Sequence, residues 1–78
     1  MNETRQNVLD AIGILRQHLG YPPTINEIAR FTGQHRTTAY HHIRQLQTAG
    51  LVTATEYEPR SIRLTDAGRA SLSKVVAL

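Results

Sequence analysis

Apolar residues in the first quarter of the chain recur at helical spacing. Steps of three and four residues place side chains on one face of an α-helix. The residues that follow this spacing are Val8, Ala11, Ile12, Leu15 and Leu19. The stretch GYPP at 20–23 should end the helix, because glycine suits a left-handed cap and proline has no backbone N–H to donate. The pattern predicts a first helix over about residues 3–19.

A second, shorter helix is predicted from the stretch TINE. Thr24 and Glu27 are spaced as a capping box, in which each side chain accepts a hydrogen bond from the backbone N–H of the other residue. We expect a helix over about 25–32 that ends near Gly33. Its core residues are expected to be Ile25, Ile28, Ala29 and Phe31.

A third helix is predicted over about 36–49, since Gly50 can end it. Its core-facing residues, at helical spacing, are Ala39, His42, Ile43 and Leu46. The period then changes: LVTATEY and SIRLT are β-branched and roughly alternating, and EPRS supplies a turn between them. These segments predict a β-hairpin over about 51–64.

A last helix is predicted over about 66–77, with Thr65 as its N-cap and Asp66 in its first turn. The complete pattern predicts a single domain, 1–78, that is mainly α with a small β-hairpin. The element order is α-α-α-β-β-α, with a short extra strand before the second helix as an option.

The outward face of the third helix carries hydrogen-bond donors and no carboxylate. Thr37, His41 and Arg44 lie opposite its core residues, with Arg36 and Tyr40 at the margins. No acidic residue occurs between Glu27 and Glu56. Arginine, threonine, tyrosine and histidine can bond to phosphates or to acceptors on base edges, and an α-helix fits the major groove of B-form DNA. The face predicts an acceptor-rich, anionic partner such as duplex DNA.

The composition of the chain agrees with an anionic partner and argues against several other classes of function. The net charge of +3 and the pI of about 10.0 favour a polyanionic partner. The chain has no cysteine, its polar N-terminus leads to no apolar signal region, and it has no run long enough to cross a membrane, so we expect a cytoplasmic, nucleoid-associated protein. It also lacks a glycine-rich phosphate loop, a nucleophile elbow and clustered carboxylates, so neither an enzyme nor a cofactor is expected.

Several stretches resemble winged helix-turn-helix repressors. PPTINEIA and SIRL resemble the DNA-binding domain of LexA repressors, while AGLV, LTDAGR and the spacing between Gly33 and Gly50 are similar to the MarR family. The resemblance implies a transcription regulator, expected to be a repressor, that places the third helix in the major groove of double-stranded DNA. The hairpin would be its wing. The implied DNA contacts in the groove are Arg36, Thr37, Thr38, Tyr40, His41 and Arg44, with Arg60 of the wing at the adjacent minor groove or phosphate backbone.

The chain departs from these families beside the turn glycine. Thr32 and Gln34 stand where such families usually have aliphatic residues. We therefore expect the turn to pack differently, with Phe31 rotated inwards, and the register of the third helix could slip by one residue.

Other readings of these residues stay open. The Tyr40 side chain can contact phosphate or cover the hydrophobic seam. A zinc site is not expected, because His41 and His42 are adjacent on a helix and point about 100° apart. The competing function is a winged-helix protein-interaction module with little or no DNA binding. RNA binding is a third reading and is less favoured than either, because the α-helical face offers few aromatic residues to stack on single-stranded bases. A homodimer is expected through the last helix and the VVAL tail, with Leu72, Val75 and Val76, and the first helix is an additional candidate surface.

Overall fold

The computed structural model describes residues 3–73. Its elements occur in the predicted order, three helices followed by an antiparallel hairpin and a short helix. Their bounds are α1 Glu3–Leu19, α2 Ile25–Thr32, α3 Arg36–Thr48, β1 Val52–Thr53, β2 Arg63–Leu64 and α4 Asp66–Ala70. Residues 21–24 do not form the optional extra strand.

The predicted caps of α2 are present. The Glu27 backbone N–H donates to Thr24 Oγ1 over 3.1 Å, and the Thr24 N–H donates to Glu27 Oε1 over 2.8 Å, which completes the capping box. At the other end Gly33 adopts a left-handed φ of 70°, so α2 stops and the chain can turn towards α3.

The core lies between the three long helices and the hairpin. Alternate hairpin residues Val52 and Ile62 face it and close one side. Its fully buried aliphatic residues are Val8, Leu9, Ala11, Ile12, Ile28, Ile43, Leu46, Val52 and Ile62. Because Ala39, Ile43 and Leu46 are buried on α3, the side of that helix opposite the core is fixed. His42 is only half-buried, and its Nδ1 has no hydrogen-bond partner among the described residues.

The prediction that Phe31 rotates into the core beside the turn between α2 and α3 is wrong. This side chain is 51% exposed rather than part of the core, and it lines a small surface cavity beside α1. Ile28, Ala29 and Thr32 face inwards instead, whereas Phe31 follows Ala29 by two positions and so points to nearly the opposite side of α2 from that residue. The Thr32 hydroxyl donates to the Ile28 carbonyl over 2.8 Å, which satisfies the polar group at this position.

The two strands of the hairpin are short and pair through two residues each. Val52 pairs with Leu64 and Thr53 with Arg63 in an antiparallel ladder. Beyond this ladder, residues 54–62 form an irregular loop held by Ser61, whose hydroxyl donates to the Glu58 carbonyl over 2.8 Å and accepts from the Thr55 N–H. We call residues 51–64 the wing and residues 55–60 the wing tip.

α4 is shorter than predicted. Thr65 caps it as expected, accepting from the Gly68 N–H over 3.0 Å, but the helix ends at Ala70 rather than near residue 77. Residues 71–73 leave the helix, and residues 74–78, including Val75 and Val76 of the expected dimer surface, lie outside the described residues.

A buried carboxylate holds the segment after α4 against α1. Asp10 is 2% exposed; its side chain accepts from the Ser73 N–H over 2.9 Å and from the Ser73 hydroxyl. The Gln6 amide bridges Asp10 and the Ser71 carbonyl. These bonds compete with continuation of the helix, which sequence periodicity could not indicate. Leu72 also packs on the core, within the same chain.

Candidate nucleic-acid interface

The predicted contact residues of α3 are all solvent-exposed. We call the surface formed by Arg36, Thr37, Thr38, Tyr40, His41 and Arg44 the α3 face. The N-cap residue His35 makes no side-chain cap hydrogen bond, and the first turn has no acidic residue. The backbone N–H groups at this helix start can therefore serve an external acceptor, and the helix dipole favours an anion there.

The two arginines of the α3 face are not neutralised within residues 3–73. Neither Arg36 nor Arg44 forms an ion pair with another described residue. The Arg44 guanidinium lies 6.0 Å from the centre of the Tyr40 ring, one helical turn away, at the outer limit of a cation–π contact. Tyr40 is 45% exposed, which is compatible with both of its predicted roles.

An open groove of about 640 Å³ separates α3 from the wing. Arg36, Thr37, Tyr40 and Arg44 line it on the helix side. The structure thus brings four of the predicted residues together, whereas Thr38 and His41 are exposed further around the helix, outside the groove.

The opposite wall of the groove carries groups that sequence reasoning missed. Glu56, Tyr57 and Glu58 of the wing tip line it, and the Tyr57 side chain is 94% exposed. Tyr57 has a φ of 65°, a left-handed conformation that is uncommon for a residue other than glycine. The groove therefore has a cationic helix wall and an anionic wing wall. The two carboxylates of the wing wall would be repelled by a phosphate backbone close to them. Both acids are visible in the sequence, but their approach to α3 is not, because it depends on how the wing folds against that helix.

Arg60 does not lie on the α3 face. Its guanidinium donates to Glu27 Oε1 over 2.8 Å, to Glu27 Oε2 over 3.2 Å and to the Pro22 carbonyl over 3.0 Å. It also stacks 4.6 Å from the centre of the Tyr21 ring. We call this arrangement the Arg60 clamp. A direct DNA contact by Arg60, as the family resemblance implies, would compete with these interactions.

Charge pairing in the clamp shifts both titrating groups. The hydrogen bonds from Arg60 and from the Thr24 N–H lower the pKa of Glu27 from 4.5 to about 2. The Glu27 carboxylate in turn raises the pKa of Arg60. The pair is therefore charged throughout the neutral and mildly acidic range.

A pH dependence of stability follows from the lowered pKa of Glu27. Its stabilising contribution is complete above its unfolded pKa of 4.5 and is lost as the pH falls through about 2. Between about pH 6 and about pH 2.5 the wild type should therefore lose about 2 to 5 °C more in Tm than Glu27→Gln, whose amide does not titrate. Thermal unfolding followed by circular dichroism at both pH values measures this difference; equal losses would contradict the assignment.

Between residues 3 and 73 no helix has the length and apolar character needed to cross a bilayer. The same residues contain no group of three histidine, cysteine or acidic side chains placed to hold a metal ion.

Comparison with known proteins supports the fold and its helix-turn-helix unit. The chain is 37% identical to a LexA repressor of Oenococcus oeni over 92% of its own length, and 33% identical to one of Ligilactobacillus salivarius over 95%. It spans 35% and 37% of those relatives, about a third of each. A solved structure of a probable transcriptional regulator from Pseudomonas aeruginosa superposes with a TM-score of 0.66 and 25% identity, covering 92% of this chain and 53% of that one.

The winged helix-turn-helix fold class predicted from the sequence is thereby confirmed. A family model described as a helix-turn-helix domain matches residues 1–54, which include α1, α2, α3 and the first strand of the wing. The chain belongs to the helix-turn-helix domain family.

Proposed function

We propose that this chain is a sequence-specific, double-stranded DNA-binding transcription regulator, a repressor, that reads the major groove with α3. The observation that carries the proposal is the α3 face, which is exposed, free of carboxylates and bears two arginines without an ion-pair partner in residues 3–73. Such a surface is matched by the acceptors of base edges and phosphates.

The relatives favour transcription regulation over other uses of the same fold. Those described above are named as LexA repressors and as a probable transcriptional regulator. Because a fold alone does not determine function, the α3 face and these names are needed together to favour DNA over a protein partner. The proposed base and phosphate contacts are Arg36, Thr37, Thr38, Tyr40, His41 and Arg44.

Two copies of the chain are proposed to bind together on a palindromic site. One module supplies only a few base contacts, each worth about 1 to 3 kcal/mol of discrimination, and pairing combines two sets of contacts. Within the described residues, Leu72 packs on its own core, so the dimer surface would draw on the exposed residues of α4, on α1 or on residues after 73.

The proposal predicts both a preferred duplex and a strong salt dependence. Selection from random double-stranded DNA should enrich one sequence family, with two half-sites about 10 base pairs apart if two copies bind. Affinity for the enriched duplex should fall with salt by about 0.9 log units per log unit for each phosphate contacted.

The outcomes separate the competing functions. A protein-interaction module would enrich no sequence and would show no steep salt dependence. Enrichment of one half-site would contradict the dimer while leaving DNA binding intact. Preference for single-stranded RNA over the duplex would favour the RNA reading.

A further inference from the structure

We propose that Arg60 is a positioning residue, which fixes the wing against the start of α2 and so sets the groove between the wing and α3. This inference rests on the proposed function for its effect on DNA binding. The clamp itself can be tested without DNA.

The clamp joins two parts of the chain that the backbone does not hold together. The wing ladder contains two residue pairs, Val52 with Leu64 and Thr53 with Arg63, and residues 54–62 extend beyond it. A ladder of this length places little restraint on the loop at its end. Arg60 links that loop to the Pro22 carbonyl and to Glu27, 33 residues away in the sequence.

Geometry makes the clamp specific for arginine. Its two terminal nitrogens each donate to a different oxygen of Glu27, at 2.8 and 3.2 Å, which is the bidentate arrangement that a planar guanidinium provides. The guanidinium also stacks on the Tyr21 ring. Lysine carries the same charge but cannot form this two-pronged, stacked contact.

Glu27 is also held by a hydrogen bond that does not involve Arg60. Its carboxylate accepts from the Thr24 N–H in the capping box, so its rotamer is set by the start of α2. The helix-turn-helix unit therefore presents an anion at a defined place, and Arg60 adds a polar contact there to the packing of Val52 and Ile62 of the wing on the core. The position of the wing therefore depends on the position of α2 and of the turn that leads to α3.

The charge of the wing tip argues against a direct phosphate contact. Arg60 is neutralised by Glu27, and Glu56 and Glu58 lie exposed on the groove wall. A wing tip of this composition is repelled by the DNA backbone, so its position beside α3 has to be maintained by contacts within the protein.

The first test measures the clamp by amide hydrogen exchange of the free protein. The Thr55 N–H donates to Ser61 Oγ and the Glu58 N–H to the Thr55 carbonyl, so both report on the wing tip. Arg60→Ala, Arg60→Lys and Glu27→Gln should each accelerate their exchange about tenfold. Glutamine preserves the capping box, so Glu27→Gln leaves α2 intact. Arg16→Ala, which removes an exposed cation from α1, serves as the control and should leave both rates unchanged. Unchanged rates in the three clamp variants would overturn the proposal, whether or not the protein binds DNA.

The second test measures affinity for the selected duplex over a range of salt concentrations. If the wing is docked only a tenth to a third of the time without the clamp, affinity falls about three- to tenfold. Arg60→Ala, Arg60→Lys and Glu27→Gln should show this loss with an unchanged salt slope, and the double variant Arg60→Ala with Glu27→Gln should be no weaker than either single variant. Glu3→Gln controls for the loss of one negative charge.

If Arg60 contacted a phosphate directly, the variants would change affinity and salt slope differently. Glu27→Gln would then release Arg60 and tighten binding beyond the Glu3→Gln control, Arg60→Lys would retain affinity, and Arg60→Ala would reduce the salt slope by about 0.9. Any of these results overturns the positioning role. If neither the wild type nor any variant binds duplex DNA, the proposed function fails. The exchange rates would still show whether Arg60 holds the wing in place.

Discussion

Gly68→Ala is expected to destabilise the protein by about 2 to 4 kcal/mol, a large part of the stability of a domain of this size. A Cβ atom at this position would lie 1.9 Å from the Leu51 carbonyl oxygen and 2.9 Å from its carbonyl carbon. These are backbone atoms, so no side-chain rotation can relieve the overlap. α4 must move away from the segment that follows α3.

That movement would break the hydrogen bonds between the start of α4 and the end of α3. The Thr65 N–H donates to the Leu51 carbonyl over 3.0 Å, and the Thr65 hydroxyl donates to the Gly50 carbonyl over 2.6 Å. Each bond contributes about 1 kcal/mol, and the better helix propensity of alanine returns up to about 1 kcal/mol. The net effect is a loss, seen as a fall in Tm of about 10 °C or more.

Gly13→Ala is the matched control, because Gly13 is also a buried helical glycine. A Cβ there would approach the Leu72 Cδ1 atom to 3.2 Å, and that atom is the end of a flexible side chain. Thermal unfolding of this variant should therefore differ from the wild type by less than about 1 kcal/mol. Similar losses for the two variants would show that the approach of Gly68 to Leu51 is not a special constraint.

Features that depend on neighbours in the sequence could be predicted. The Thr24–Glu27 capping box and the Thr65 cap each join residues three positions apart, and both are confirmed. Helical periodicity also identified the buried side of α3, and hence the exposure of Arg36 and Arg44 on the other side.

Features that depend on distant residues could not be predicted. The sequence pattern gives Arg60 no partner, because Glu27 lies 33 positions earlier and already has a local role as a cap. The LTDAGR motif indicates a family resemblance, but the contact of Gly68 with Leu51 depends on how α4 folds back on the chain after α3. The early end of α4 has the same origin, since Ser73 bonds to Asp10, 63 positions away.

Substitution of Arg44 or Arg36 by alanine is expected to weaken binding to the selected duplex about 5- to 150-fold, the range given by 1 to 3 kcal/mol per base contact. Both side chains are exposed and form no ion pair among residues 3–73, so the fold should not depend on them. Thermal unfolding should therefore differ little from the wild type, within about 0.5 kcal/mol.

The two arginines can be assigned to bases or to phosphates by comparing duplexes. If an arginine contacts a base, its substitution should reduce affinity more for the selected sequence than for a scrambled one. If it contacts a phosphate, its substitution should weaken binding to both duplexes equally and reduce the salt slope by about 0.9. Arg16→Ala removes the same charge from α1 and should change affinity much less than either substitution. If Arg16→Ala were as damaging as Arg44→Ala and Arg36→Ala, net charge rather than the α3 face would account for binding. If Arg44→Ala and Arg36→Ala bound DNA like the wild type, α3 would not be the helix that enters the groove.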